Sequence, residues 1–200
     1  TSIIQSVRPL IAADDSLVRS AAIKFAGEHR DHGSLSLIRE SLQHESARVK
    51  YFALMAVSAL HDQGSLNQIL AEISENSESD IALRHAGIVA LAKTQTPQVL
   101  ESLKNHSSEI VRVSAVVALR RLRHANVASF LDDSSDRVAS EAGSAIYDLP
   151  ILEAMPRLSE SVNIENRPIE FQRRALNSSH RVGTAQAASR IVAFAVSPSN

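Results

Sequence analysis

Six side chains near two sequence turns have the types that could hold a metal ion: Glu28, His29, Asp31, His32, His61 and Asp62. Imidazole and carboxylate are common zinc ligands. Their spacing fits no ligand motif, and His and Asp are ordinary residues of solvated turns, so no metal site is expected. The chain has no cysteine, which excludes thiolate ligands, disulfides and cysteine nucleophiles. Serines are plentiful, but there is no G-x-S-x-G elbow and no histidine–carboxylate pair placed to activate one. The six glycines never cluster into a phosphate-binding loop. The expectation is a chain with no catalytic residues and no cofactor, not an enzyme.

The densest cationic cluster is Arg120, Arg121 and Arg123 with His124. A nucleic-acid surface would add further cations and interleaved aromatics for stacking. Here aromatics are 4% of residues, tryptophan is absent, and 21 Lys+Arg against 22 Asp+Glu leave a net charge of −1. That balance draws in neither nucleic acid nor an anionic membrane, and the cluster reads as cations complementing a helix C-terminus. No apolar run reaches the roughly 18 residues that span a bilayer. Asn105-His106-Ser107 and Asn177-Ser178-Ser179 fit the glycosylation triplet, which matters only in a eukaryotic secreted protein.

The elements that position these residues follow from self-similarity. Asp31-His32-Gly33-Ser34-Leu35 recurs as Asp62-Gln63-Gly64-Ser65-Leu66, an offset of 31 (62 minus 31). In each copy the glycine is expected to end one helix in the left-handed region and the serine to cap the next. In a degenerate third copy Thr96 replaces the serine and Pro97 takes the first helical position. Between these turns a polar cluster precedes an apolar stripe and usually a cation: Arg19, Lys50, Arg84 and Arg112 recur, with Ala139 in the fifth copy. These cations are read as structural, bridging to the turn beside them. The stripes have helical spacing, as in Val49, Phe52, Ala53, Ala56, Val57 and Leu60. Hairpins are placed near 14–43, 45–75, 78–105, 107–131, 133–162 and 168–196. Residues 1–12 form the second helix of a partial hairpin, 163–167 a loop, and Gly183-Thr184 divides the last pair. The whole of 1–200 is read as one repeat domain, since a hairpin of about 30 residues buries its apolar face only by stacking.

The unit D-x-S-x-x-V-R-x-x-A-x-x-A followed by a leucine-rich second helix resembles the short HEAT repeat, also called the EZ-HEAT or phycobilisome-lyase-like repeat. The resemblance covers about residues 1–162. It implies an all-α fold, a right-handed α-α superhelix of the HEAT-like/armadillo type with about six helical hairpins. A narrower likeness rests on Ala145-Ile146-Tyr147-Asp148-Leu149-Pro150, Glu153-Ala154-Met155-Pro156 and Arg173-Arg174-Ala175-Leu176-Asn177, running to Arg181-Val182-Gly183-Thr184. These are similar to the HEAT-like region of large planctomycete and verrucomicrobial proteins that carry a c-type haem domain. That likeness implies a bacterial, periplasmic or extracytoplasmic setting; without it a cytoplasmic one is expected. No Cys-x-x-Cys-His is present, so no haem site carries over. A start without methionine reads as a piece of a longer protein.

On the second helices, turning Leu35, Ile38 and Leu42 inward leaves Ser36, Glu40 and Gln43 outward. The same operation leaves Asn67 and Gln68, then Gln98 and Glu101, then Glu153, Arg157 and Glu160. In HEAT-like solenoids this face lines the concave side. The expected partner-binding groove is therefore Glu40, Gln43, Gln68, Gln98, Glu101, Glu153, Arg157 and Glu160, rich in amides and carboxylates and suited to a peptide or basic protein segment. The leading reading is a monomeric scaffold that holds a protein or peptide partner, or neighbouring domains of its own chain. The alternative is a bilin- or tetrapyrrole-handling lyase or chaperone, which would want an apolar and cationic groove. A third, a DNA-repair role of the kind one HEAT-like glycosylase family has, would want aromatics and a basic groove.

Overall fold

Apolar stripes at helical spacing, separated by short polar turns, dictate helices and little else. The computed structural model describes residues 2–76, 79–163 and 167–196. The α-helices are α1 (Ile3–Val7), α2 (Ser16–Glu28), α3 (Leu35–Ser41), α4 (Ala47–Ala59), α5 (Leu66–Asn76), α6 (Ile81–Thr94), α7 (Pro97–Ser102), α8 (Glu109–Leu122), α9 (Asp136–Tyr147), α10 (Met155–Glu160), α11 (Ile169–Val182) and α12 (Ala185–Ala195). Short 3-10 segments join them, and no strand occurs among the described residues. The all-α class expected from the periodicity is the class observed, and its elements are helical hairpins.

The chain forms two compact units, residues 1–96 and 97–200. In the first, α2 packs on α4 and α4 on α6, so the longer first helices make one layer; α3 packs against α4 and α5 against α6. In the second, α8 packs on α9 and α9 on α11, with α10 and α12 against α11. The cores are mostly aliphatic and rich in alanine, with Phe130 and Phe171 also buried in the second unit. Ala53, Val57, Ala86, Ala90 and Leu91 are fully buried in the first unit, and Ala115, Leu119, Ala142 and Ile146 in the second. Alanine permits close helix approach, and Gly27 takes this furthest: a Cβ there would lie 2.9 Å from the Ala56 Cα. Of the α4 stripe, Phe52 alone is only half-buried.

The turns correct the expectation about glycine. The left-handed residues are Arg30 (φ 50), His61 (φ 52) and Arg123 (φ 51), whereas Gly33 and Gly64 do not have positive φ. In each case the next N–H reaches back five residues, Asp31 to the Ala26 carbonyl, Asp62 to Val57 and His124 to Leu119. This is a Schellman closure made without glycine. Only Gly183 (φ 68) ends a helix, α11, in the expected way, with Thr184 capping α12.

What Gly33 and Gly64 provide is room. A Cβ on Gly33 would overlap the Arg8 guanidinium, and one on Gly64 would overlap that of Arg39. Arg8 donates from Nε and Nη2 to the two oxygens of Asp31 at 3.1 and 2.7 Å, and Arg39 does the same to Asp62. Each arginine, from one second helix or its 3-10 equivalent, thus grips the turn of the next hairpin in a bidentate pair. The serines are not helix caps: Ser34 and Ser65 are buried and donate to Asp31 and Asp62. The aspartates are the caps, accepting from the Gly33 and Gly64 N–H.

Among the described residues, the form of the brace that closes over a glycine is found at these two turns. At the third, the matching positions (39 plus 31, 62 plus 31) are Leu70 and Lys93. There His61 Nδ1 meets the Lys93 carbonyl at 3.0 Å, and Gln95 donates to the Gln63 carbonyl. In the second unit the His124 ring accepts from the Asn126 N–H in place of a carboxylate, and Arg174 instead reaches Asp148 at the end of α9.

A double-mutant cycle tests this account of the glycines. Gly64→Ala should destabilise by about 1–2 kcal/mol, below the cost of breaking a fully buried pair because the Arg39 side chain is 38% exposed. In an Arg39→Ala background the same change should be neutral or stabilising, since alanine suits a negative φ. Additivity in urea melts would refute the steric link.

Acid stability follows from the same groups. Hydrogen bonds from Arg8 and Arg39 hold the Asp31 and Asp62 carboxyls below their ordinary 3.8, opposed by burial and aided by Ser34 and Ser65. A folded-state value below the unfolded one means that the contribution is complete above the unfolded value. It is lost as pH falls from about 4 through the lowered values. Thermal melts of the parent chain should drop more steeply below about pH 4 than those of Asp62→Asn, and parallel curves would count against the brace.

Candidate functional site

The second-helix faces carry the polar residues expected from the sequence, unequally. Glu40 in the last turn of α3 and Gln43 just beyond it are exposed, as is Gln98 on α7, while Gln68 on α5 and Glu101 on α7 are half-buried. Glu153, exposed, sits in the 3-10 turn before α10. Arg157 and Glu160 on α10 are engaged in ion pairs: Arg157 pairs with Asp132 and Glu160, and Glu160 also with Arg190 at 3.8 Å. Among the described residues Glu40, Glu101 and Glu153 have no ion-pair partner, so these carboxylates stay open while the α10 pair is committed within the second unit.

The recurring cations show what the first hairpin has to spare. Lys50 on α4 pairs with Glu72 on α5 at 2.7 Å, both ends largely buried. Arg112 on α8 grips Asp133 at 2.8 and 3.1 Å and the carbonyls of His106 and Ser107. Those two behave as structural cations should. Arg19 on α2 differs: its Nε is buried without a hydrogen-bond partner. The reason lies in the repeat register, for Ser41 stands 31 positions before Glu72 (72 minus 31). Arg19 instead borders a depression of about 100 Å³ whose other polar groups are Glu40 and Ser41, with Ile11 and Leu37 as its apolar wall. Ser41 Oγ donates to the Leu37 carbonyl. A guanidinium and an open carboxylate side by side can together grip a peptide group, one donating to its carbonyl and the other accepting from its N–H.

The other candidates are bound up locally. His29 Nδ1 lies 2.9 Å from the Phe25 carbonyl with its ring stacked on Phe25, and Asp31 and Asp62 are held by arginines. Among the described residues no three His, Asp or Glu side chains are grouped to hold a metal ion, and no helix is long and apolar enough to cross a membrane. Arg120 pairs with Glu141, Arg123 is the left-handed residue after α8, and His124 caps the next turn. Sequence reasoning missed Arg167, placed in a loop. Its guanidinium donates to Asp136 and to the carbonyls of Leu131 and Asp133, and it lies over the Phe171 ring. A single arginine outside any repeat register leaves no sequence signal for such a role.

No protein-family model matches the chain, and no curated protein matches it in sequence. Solved structures similar to it include an engineered protein (13% identity, 97% of this chain and 98% of that one, TM-score 0.48). A designed armadillo repeat protein in complex with the peptide (KR)4 matches at 13% identity, 97% and 98% coverage and TM-score 0.47. Human deoxyhypusine hydroxylase in complex with glycerol matches at 16% identity, 98% and 78% coverage and TM-score 0.43. All three scores lie below 0.5, and the helical-hairpin fold stands on the contacts within each unit.

The contrast between Arg19 and Lys50 has a measurable consequence. Arg19→Met should leave stability unchanged or raise it by about 1 kcal/mol, because it removes an unsatisfied buried donor. Lys50→Met should cost about 2–4 kcal/mol by taking the ammonium away from the buried Glu72 carboxylate. Equal losses in chemical denaturation would show that Arg19 is also internally satisfied.

Proposed function

We propose that this chain is a non-catalytic helical-repeat scaffold that binds an extended peptide segment, of a partner or of a neighbouring domain, on its second-helix face. The observation that carries the reading is the Arg19–Glu40–Ser41 depression. It keeps a cation and a carboxylate unpaired in the hairpin where Ser41 replaces the internal acid. Scaffold repeats recognise partners with outward polar groups on rigid helices, and the bidentate braces at Asp31 and Asp62 supply that rigidity beneath Glu40. Glu40 with the exposed amide of Gln43 favours a segment bearing a basic side chain. A tetrapyrrole-handling role asks for cations and apolar surface, and this face offers carboxylates and amides.

The test is a selection of displayed peptides on the intact chain, followed by affinity measurement of the selected sequences. Arg19→Met and Glu40→Lys should each weaken binding about tenfold while the fold melts as before. Selected peptides that ignore both substitutions would remove this depression as the binding site.

A further inference from the structure

Two further depressions of the first unit lie over its first helices. One of about 440 Å³ opens between α2 and α4, walled by Tyr51 and Phe52. A second, of about 370 Å³, continues it towards Val89 and Lys93 on α6. The two share Gly27, Glu28, Met55 and Ala59, so they form one trough across three helices. Its depth has a local cause. Gly27, Ala56 and Ala59 carry little or no side chain, and Gly27 brings α2 against Ala56, leaving a notch between the longer side chains.

The apolar part is adaptable and exposed enough to bind. Met55, Phe52, Tyr51, Ala59 and Val89 are each only half-buried, and methionine with aromatic neighbours is a surface that repacks around apolar partners. The rim is cationic. Lys24, Arg30 and Lys93 line it against one carboxylate, Glu28, and the Lys24–Glu28 contact is a long, exposed 3.8 Å. Just beyond, Arg48 stands over the Phe52 ring. Lys93 stands 31 residues after Asp62 (93 minus 62), but in the last turn of α6, where it presents a cation to this trough.

We propose that the trough over α2, α4 and α6 docks an acidic amphipathic helix, seating apolar side chains on Met55, Phe52 and Val89 and carboxylates towards Lys24, Arg30 and Lys93. Charge complementarity selects the sign of the partner. Helices packed about 10 Å apart make the trough on the order of 20 Å long, about the length of a three- to four-turn helix. Such helix-in-groove binding uses anchors at i, i+3 or i+4, and i+7. This site is separate from the Arg19–Glu40 depression and does not depend on it.

The experiment titrates the intact chain into a labelled acidic amphipathic peptide of about 16 residues, beside a counterpart with every Glu and Asp replaced by Lys. The acidic peptide should bind at least about tenfold more tightly than the lysine counterpart and weaken with added salt. Ala59→Gln, which fills the notch from a half-buried position at the end of α4, and Lys93→Glu, which reverses the rim, should each cost about tenfold, whereas Glu40→Lys should change nothing. Several results would overturn the proposal: no binding of the acidic peptide, equal binding of the lysine counterpart, or indifference to both trough substitutions. Displacement of the peptide by haemin, single-stranded DNA or anionic vesicles would do the same, assigning the trough to another class of ligand.

Discussion

The two arginine–aspartate braces set the geometry on which the rest of the first unit depends. Alanine-lined helices attract one another without direction, because burial is roughly proportional to area. Such helices can slide or rotate on one another at little cost. A bidentate guanidinium–carboxylate pair is directional, and here each carboxylate also holds its own turn through a serine and a glycine N–H. The brace therefore fixes both the shape of one turn and its distance from the second helix of the preceding hairpin. The 31-residue period of the aspartates is matched by the 31-residue period of the arginines (39 minus 8). Neither could drift alone.

That constraint explains which parts of the molecule were legible in the sequence. Helix periodicity and the D-x-G-S-L recurrence located the all-α class, because burial of one face is a local property of each segment. The function of the glycine was misread for a physical reason. Glycine next to a helix end usually signals a left-handed residue, but here Arg30 and His61 accept that conformation at about 1 kcal/mol each, and the glycine answers to a side chain from 25 residues upstream (33 minus 8). The signal that would have found the partner was present. Arg8 and Arg39 repeat with the same 31-residue period as Asp31 and Asp62, on the second helices and not among the first-helix cations.

The candidate sites divide in the same way. Outward placement of Glu40, Gln43, Gln98 and Glu153 follows from a helical wheel, which needs only the direction of the core. The engagement of Arg157 and Glu160 does not, since Asp132 and Arg190 lie on other elements and their approach is set by tertiary packing. Arg19 was grouped with Lys50 and Arg112 on position, yet position specifies only the cation. Whether it is satisfied depends on residue 41 or its equivalents, where one repeat has serine and another glutamate.

Both proposed binding features arise where the repeat departs from its own pattern. Ser41 in place of a glutamate leaves a guanidinium beside Glu40, and α6, which runs on through Lys93 where the earlier first helices have ended, adds a cation beside Met55 and Val89. An unpaired buried donor or an open cationic notch gives the isolated fold no stability in return, so neither is accounted for by the packing of the hairpins. Where Arg8, Arg39, Lys50 and Arg112 close on carboxylates, a substitution that opens such a pair turns a structural position into a recognition position. Glu72, paired with Lys50, shows what residue 41 would do if it were acidic.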